Sequence, residues 1–231
     1  RKRVFFLGID NDISSLHDEL FSMFSLKEFS KSTYTLESAI GDLPALEAKT
    51  LRNSTHYESE NWGYTIGGIH VNNSRYSELL NGHENFEFPL LNHKTKYNND
   101  RDIEIYSLLK QGEKSDAQSI QHLNPYKSRD NVFKDKFYKM RYDEPSKTMT
   151  AHMYYDCHMY IHPTQARGLT PREAARIQGF PDNWEFYGSI SKQYKQIGNS
   201  VPVNLAYHIG SCLIAVLDNK INKNEMKILC D

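Results

Sequence analysis

The sequence predicts an α/β fold that carries an irregular α+β insert, and three observations lead there. Residues 4–9, Val-Phe-Phe-Leu-Gly-Ile, are aromatic and aliphatic in the manner of a buried strand. From about residue 49 to 131 the periodicity weakens, and loop-forming pairs such as Asn72-Asn73, Asn81-Gly82 and Asn98-Asn99 recur. Beyond Phe133 order returns and culminates in helical patterns with clear start signals.

Taken in order, residues 12–24 read as a helix, with Leu16, Leu20 and Phe24 at four-residue spacing and Asp12 placed to cap it. A short helix is expected from Thr35 to Ile40, stopped by Gly41-Asp42-Leu43-Pro44. Residues 64–66 and 67–71 read as short strands around a turn, and 103–111 as a helix ended by Gly112. Thr148-Met149-Thr150 is strand-like, and Tyr160-Ile161-His162-Pro163 closes another strand. The strongest helix signal follows. Thr170 is the N-cap, Pro171 sits in the first turn, Glu173 completes a capping box and Gly179 ends the helix. Arg172 and Arg176 share a face there, while Ala174, Ala175 and Ile177 turn inward. Residues 189–197 give a further short helix. A last one starts near Pro202 with a buried stripe of Val203, Ala206, Ile209, Leu213 and Val216. Residues 218–231 are mostly polar and are expected to fray or to extend against a partner.

Composition narrows the function classes. The 231 residues allow one large domain or two modest ones. With 39% apolar and 25% charged residues, wholesale disorder is excluded. Mean hydropathy is −0.68, low for a self-contained globule. The 28 basic and 29 acidic side chains leave a net charge of −1, so any affinity for nucleic acid must come from a local face. Residues 12–60 run the other way and would repel phosphate. Cys157, Cys212 and Cys230 are too few and too dispersed for a disulfide framework or a clustered zinc site. No apolar run approaches the roughly 20 residues that span a bilayer, so no membrane role is expected.

Residues 167–182, Arg-Gly-Leu-Thr-Pro-Arg-Glu-Ala-Ala-Arg-Ile-Gln-Gly-Phe-Pro-Asp, resemble the ninth motif of DNA cytosine-5 methyltransferases. Residues 196–202, Gln-Ile-Gly-Asn-Ser-Val-Pro, resemble the tenth. Residues 143–150 and Ile161-His162-Pro163 match the approach to motif nine in bacterial members, and residues 1–8 the end of motif eight.

The resemblance implies a C-terminal portion of a Rossmann-like methyltransferase with an irregular α+β target-recognition domain. Residues 1–11 would end motif eight, 12–150 would form the recognition domain, and 151–231 would carry motifs nine and ten and support the catalytic domain. It implies methyl transfer from S-adenosylmethionine to a cytosine in a specific duplex sequence, in a restriction–modification setting. The implied location is the bacterial cytoplasm, with nucleoid association during DNA binding. The alternative is a noncatalytic DNA-specificity subunit or an inactive remnant.

By the same resemblance Arg3 falls where the family contacts cytosine O2, with Arg1 in support, although two solvated charges before a strand would look the same. Asn199 and Ser200 match residues beside the methyl donor, or else a turn and helix cap. Arg167, Arg172 and Arg176, with Glu173, either organise the recognition domain or, for the arginines, touch phosphate. Lys134, Lys136, Lys139 and Arg141 belong to a basic stretch, with Lys127 and Arg129, that is either a phosphate-binding or a solvated face. Asn72, Asn73, Ser74 and Arg75 are loop candidates for base reading, and His162 either nears the DNA or caps a strand. His152, Asp156, Cys157 and His158 form no coherent ligand motif, so no metal is expected.

Three family features are missing from the sequence: a Phe-x-Gly-x-Gly loop, a Pro-Cys nucleophile and a Glu-Asn-Val segment. The nucleophilic cysteine is therefore expected to be absent from this chain. S-adenosylmethionine is expected to be bound mainly by an N-terminal methyltransferase half, as a separate subunit or as the missing part of the same polypeptide. Alone, the chain is expected to be inactive.

Overall fold

The computed structural model describes residues 34–54, 56–71, 74–82, 87–129 and 135–217. The expected strand at 4–9, the helix at 12–24, and Arg1, Arg3, Asn72, Asn73, Lys134 and Cys230 lie outside the described residues. Two compact units are present: Tyr34–Ser200 is one, and residues 201–217 belong to the other.

Within the first unit, helix α1 (Leu36–Ile40) starts where the Thr35 side chain accepts from the Ser38 amide. Strands β1 (Gly63–Val71) and β2 (Glu87–Lys94) form an antiparallel ribbon, from Gly63 opposite Lys94 to Val71 opposite Glu87. The register slips between Ile66 and Ile69, so the two strands expected around a turn are one bulged strand with Gly67-Gly68 at the slip. Sequence reading did not assign β2. Leu90 through Lys94 are all buried, so the strand lacks the alternation that marks a half-exposed one.

Helix α2 (Arg75–Asn81) opens on a Ser74–Ser77 capping box and closes at Gly82, whose φ of 74° suits glycine. Helix α3 (Asp100–Leu108) begins earlier than residue 103 because the Asn99 side chain caps the Asp102 amide. Helix α4 (Pro171–Ile177) has the expected capping box: the Thr170 hydroxyl accepts from the Glu173 amide, and the Glu173 carboxylate accepts from the Thr170 amide. Helix α5 (Ile190–Asn199) is capped by Ser189. Residues 148–150 form no strand but lead into a 3-10 turn, Ala151–Tyr154. Ile161 makes only single bridges, to Lys139 and Gly168.

Leu36, Ile40, Leu90, Ala174, Ala175, Tyr160, Tyr194 and Ile197 share one buried cluster, so α1, β2, α4 and α5 close around a common core. A second cluster joins Ile105, Tyr106, Leu109, Ile120, Phe137 and Ile161. In the other unit, helix α6 (Val203–Leu217) carries exposed Leu205, Tyr207 and Ile214. Among the described residues no helix is long and apolar enough to cross a membrane.

Candidate functional site

The motif-nine segment is a buried charge network. Arg167, Arg172 and Arg176 are each no more than 1% exposed. Arg167 donates through both terminal nitrogens to Glu173, at 2.9 and 2.6 Å, and through Nε to the Leu46 carbonyl at 3.2 Å. Burial would push the Glu173 carboxyl up, but the Arg167 charge and hydrogen bonds overcome it and hold the group far below the usual range. Arg172 donates to the carbonyls of Leu91 (2.7 Å), Pro181 (3.1 Å) and Trp184 (2.6 Å), and burial pushes it down to about 10. Arg176 donates to both Asp182 oxygens, at 2.8 and 2.9 Å, and to Asp42. The three guanidiniums thus tie α4 to β2, to the end of α1 and to the 180–186 loop. Enclosed and internally satisfied, they face no surface on which a phosphate could sit.

Two histidines complete this interior. His93 of β2 bonds the Thr170 hydroxyl (3.1 Å) and the Pro44 carbonyl (2.9 Å). His162 accepts from the amides of Thr164 (3.2 Å) and Gln165 (3.1 Å) and faces Glu173 at 3.7 Å. Burial holds both down at about 4, so they are neutral at pH 7. His162 therefore ties down a loop.

Within the basic stretch, Lys136 and Arg141 are paired with acidic neighbours and Lys139 is turned into the interior. Lys136 pairs with Asp156 at 2.6 Å, and Arg141 pairs with Asp143 (3.0 Å) and Glu144 (2.9 Å) on the surface. Lys139 is buried and donates to the Tyr106 carbonyl at 2.9 Å.

A different surface combines cations with aromatic faces. Tyr155 is 72% exposed and meets Tyr154 edge-on, with ring centroids 5.0 Å apart. The Lys195 ammonium lies 5.8 Å from the Tyr154 ring, and His152 flanks Tyr155 at 5.7 Å. Lys96 donates to the carbonyls of Tyr154 (3.2 Å) and Tyr155 (2.9 Å), which fixes the turn that presents the rings. Beside it opens a cleft of about 250 Å³ lined by Lys96, Asn98, Asp102, Tyr155, Asp156 and His158 among others. Sequence reading passed over Lys96, Tyr154, Tyr155 and Lys195. The signal available was the Tyr154-Tyr155 pair directly after the strand-like approach to motif nine.

Asn199 and Ser200 end α5. Asn199 is exposed and Ser200 half-buried. Burial pushes the Cys157 thiol up to about 11, which makes it a poor nucleophile. Among the described residues no three His, Cys, Asp or Glu side chains gather as a metal site.

Comparison with known proteins adds the family context. Residues 1–215 match the family model described as C-5 cytosine-specific DNA methylase. The chain is 34% identical over 209 residues to the type II methyltransferase M.Bpa9945I of Bacillus paralicheniformis, covering 87% of the chain and 44% of that protein. It is 49% identical over 85 residues to M.Eco47II of Escherichia coli, covering 37% of the chain and 20% of that protein. It is 43% identical over 77 residues to DNA (cytosine-5)-methyltransferase 3 of Zea mays, covering 33% of the chain and 8% of that protein. The matched segment thus spans less than half the length of each of these curated relatives.

Proposed function

Because the chain belongs to the C-5 cytosine-specific DNA methylase family, we propose that it is the C-terminal, DNA-reading part of a type II cytosine-5 methyltransferase, completed by an N-terminal half on the same or a separate polypeptide. The observation that carries this reading is a family match over residues 1–215 in a chain with no Pro-Cys pair and no Phe-x-Gly-x-Gly loop.

Burial and exposure of the described residues support a division of labour, and the family resemblance alone supports the role of Arg3. Arg167, Arg172 and Arg176 organise the recognition domain: Arg172 mounts β2, and with it the β1–β2 ribbon, on α4, while Arg167 ties α4 to Leu46 and Arg176 ties it to α1 and Asp182. The surface formed by exposed Tyr154, Tyr155 and Lys195 beside half-buried Lys96 faces the duplex. Ammonium groups there neutralise phosphates while the rings offer flat contacts to bases or sugars. Arg3 contacts the flipped cytosine at O2, where a guanidinium stabilises charge that builds up as C6 is attacked by the partner half's thiolate. Asn199 fits the polar end of S-adenosylmethionine, since an exposed carboxamide offers both donors and an acceptor. When bound, S-adenosylmethionine supplies the methyl group placed on C5.

The test is methyl incorporation into mixed-sequence duplex DNA by the chain alone and by the chain with a Pro-Cys half. Activity only in the mixture is the expected result. Robust activity of the chain alone that depends on Cys157, Cys212 or Cys230 overturns the reading. Duplex binding with no activity in any mixture favours a DNA-specificity subunit instead.

A further inference from the structure

The turn at the end of α5 is held from behind by a residue of a different motif. Gln178, directly after α4 and buried, donates from Nε2 to the Ile197 carbonyl (2.9 Å), the Ser200 carbonyl (3.3 Å) and the Ser200 hydroxyl oxygen (3.2 Å). The Ser200 hydroxyl in turn donates to the Ile197 carbonyl at 2.6 Å. The Ser200 amide donates to the Gln196 and Ile197 carbonyls, both at 3.2 Å. From the other side Gly198 lies so close to the 3-10 turn that a Cβ there would stand 2.3 Å from the Thr150 carbonyl carbon and the Ala151 nitrogen. Between these two restraints Gly198 is buried, Ser200 is half-buried and Asn199 is exposed.

A hydroxyl has one proton to give. That of Ser200 goes to Ile197, and its oxygen accepts from Gln178, so the group is directed into the fold. We propose that the two candidate donor-binding residues have different tasks: Asn199 meets the polar end of S-adenosylmethionine, while Gln178 and Ser200 are positioning residues that fix the turn presenting it. The proposal rests on the methyltransferase reading above. It adds Gln178, a motif-nine side chain, to the determinants of donor affinity, and takes direct ligand contact away from the Ser200 hydroxyl.

Gln178→Glu tests it with almost no change in shape, because it turns a carboxylate toward three oxygen acceptors. In the enzyme assembled with its Pro-Cys half, Gln178→Glu should weaken S-adenosylmethionine binding about tenfold, equivalent to ~1.4 kcal/mol. Asn199→Ala should do the same, and duplex DNA affinity should stay at the wild-type value in both. Gln178→Met, which removes the donor without adding charge, should shift donor affinity in the same direction and covers the case in which the charged variant does not fold. Hydrogen exchange at the Ser200 amide should accelerate in the Gln178 variants. Wild-type donor affinity in a folded Gln178→Met enzyme, or equal loss of DNA and donor binding, overturns the proposal. A wild-type assembly that binds no donor at all overturns the methyltransferase reading itself, a result distinct from donor binding that ignores Gln178.

Discussion

At the scale of single residues, Arg176 is the side chain whose loss should cost most. It is buried between Asp182 and Asp42, so Arg176→Met leaves two enclosed carboxylates without their closest cation, Asp182 keeping only Arg172 at 3.7 Å and Asp42 only His70 at 3.7 Å. Stripping one partner from a buried pair costs about 3–5 kcal/mol. A large fall in thermal midpoint is expected, whereas Arg141→Ala, which opens an exposed pair, should change it little. Acid should be destabilising for two separate reasons. His93 and His162 are held neutral by burial down to about 4, so as pH falls from about 6.5 the unfolded chain binds protons that the folded one refuses. Asp42 stays ionised to about 2 because His70 and Arg176 outweigh its burial. Its contribution is therefore full above pH 3.8 and lost as pH falls toward about 2. Chemical unfolding from pH 8 to pH 4.5 should show stability declining below about pH 6.5, with a shallower decline in His162→Gln.

Elements owe their boundaries to local chemistry and their placement to distant partners. Caps are local, and so Thr35, Thr170 and Ser189 mark helix starts that can be read directly from the sequence. Which faces of α4 are buried is a different matter. Ala174 and Ala175 are buried as their apolar character predicts, but so are Arg172 and Arg176 on the polar face. Their acceptors, Leu91, Pro181, Trp184, Asp42 and Asp182, come from other segments, and no periodicity within the helix encodes them. Close approach is similarly non-local. Gly198→Ala should force α5 away from the backbone of residues 150–151 and cost at least the roughly 1–3 kcal/mol of an overpacked site, measured as a lowered thermal midpoint.

For the molecule as a whole, stability and DNA affinity should separate on different lysines. Lys139→Ala should lower the thermal midpoint because its ammonium satisfies the Tyr106 carbonyl in the interior. Lys195→Ala and Tyr155→Ala should leave stability unchanged and weaken duplex binding. Lys195→Ala should also reduce the slope of log affinity against log salt by about 0.9, the value for one lost phosphate contact. Equal salt slopes for wild type and Lys195→Ala would overturn the proposed assignment of this surface to DNA. Arg3→Ala in the assembled enzyme should slow single-turnover methylation far more than it weakens duplex binding, since its proposed contact is made to the flipped base alone.

By itself the sequence determined the family, through motifs whose residues lie close together along the chain. It also determined the capped helices, because hydrogen bonds between a cap and an amide three residues on need no tertiary partner. The missing Pro-Cys pair and glycine-rich loop were equally legible. Only the tertiary structure decided that β2 is a strand, since burial on both faces erases its alternation. It alone decided that the arginines of residues 167–176 turn inward, that Lys139 is interior, and that Tyr155 and Lys195 share a surface. Each of these depends on groups far apart in the chain being brought within a few ångströms, and a buried charge keeps its place only where the fold supplies its counter-charge.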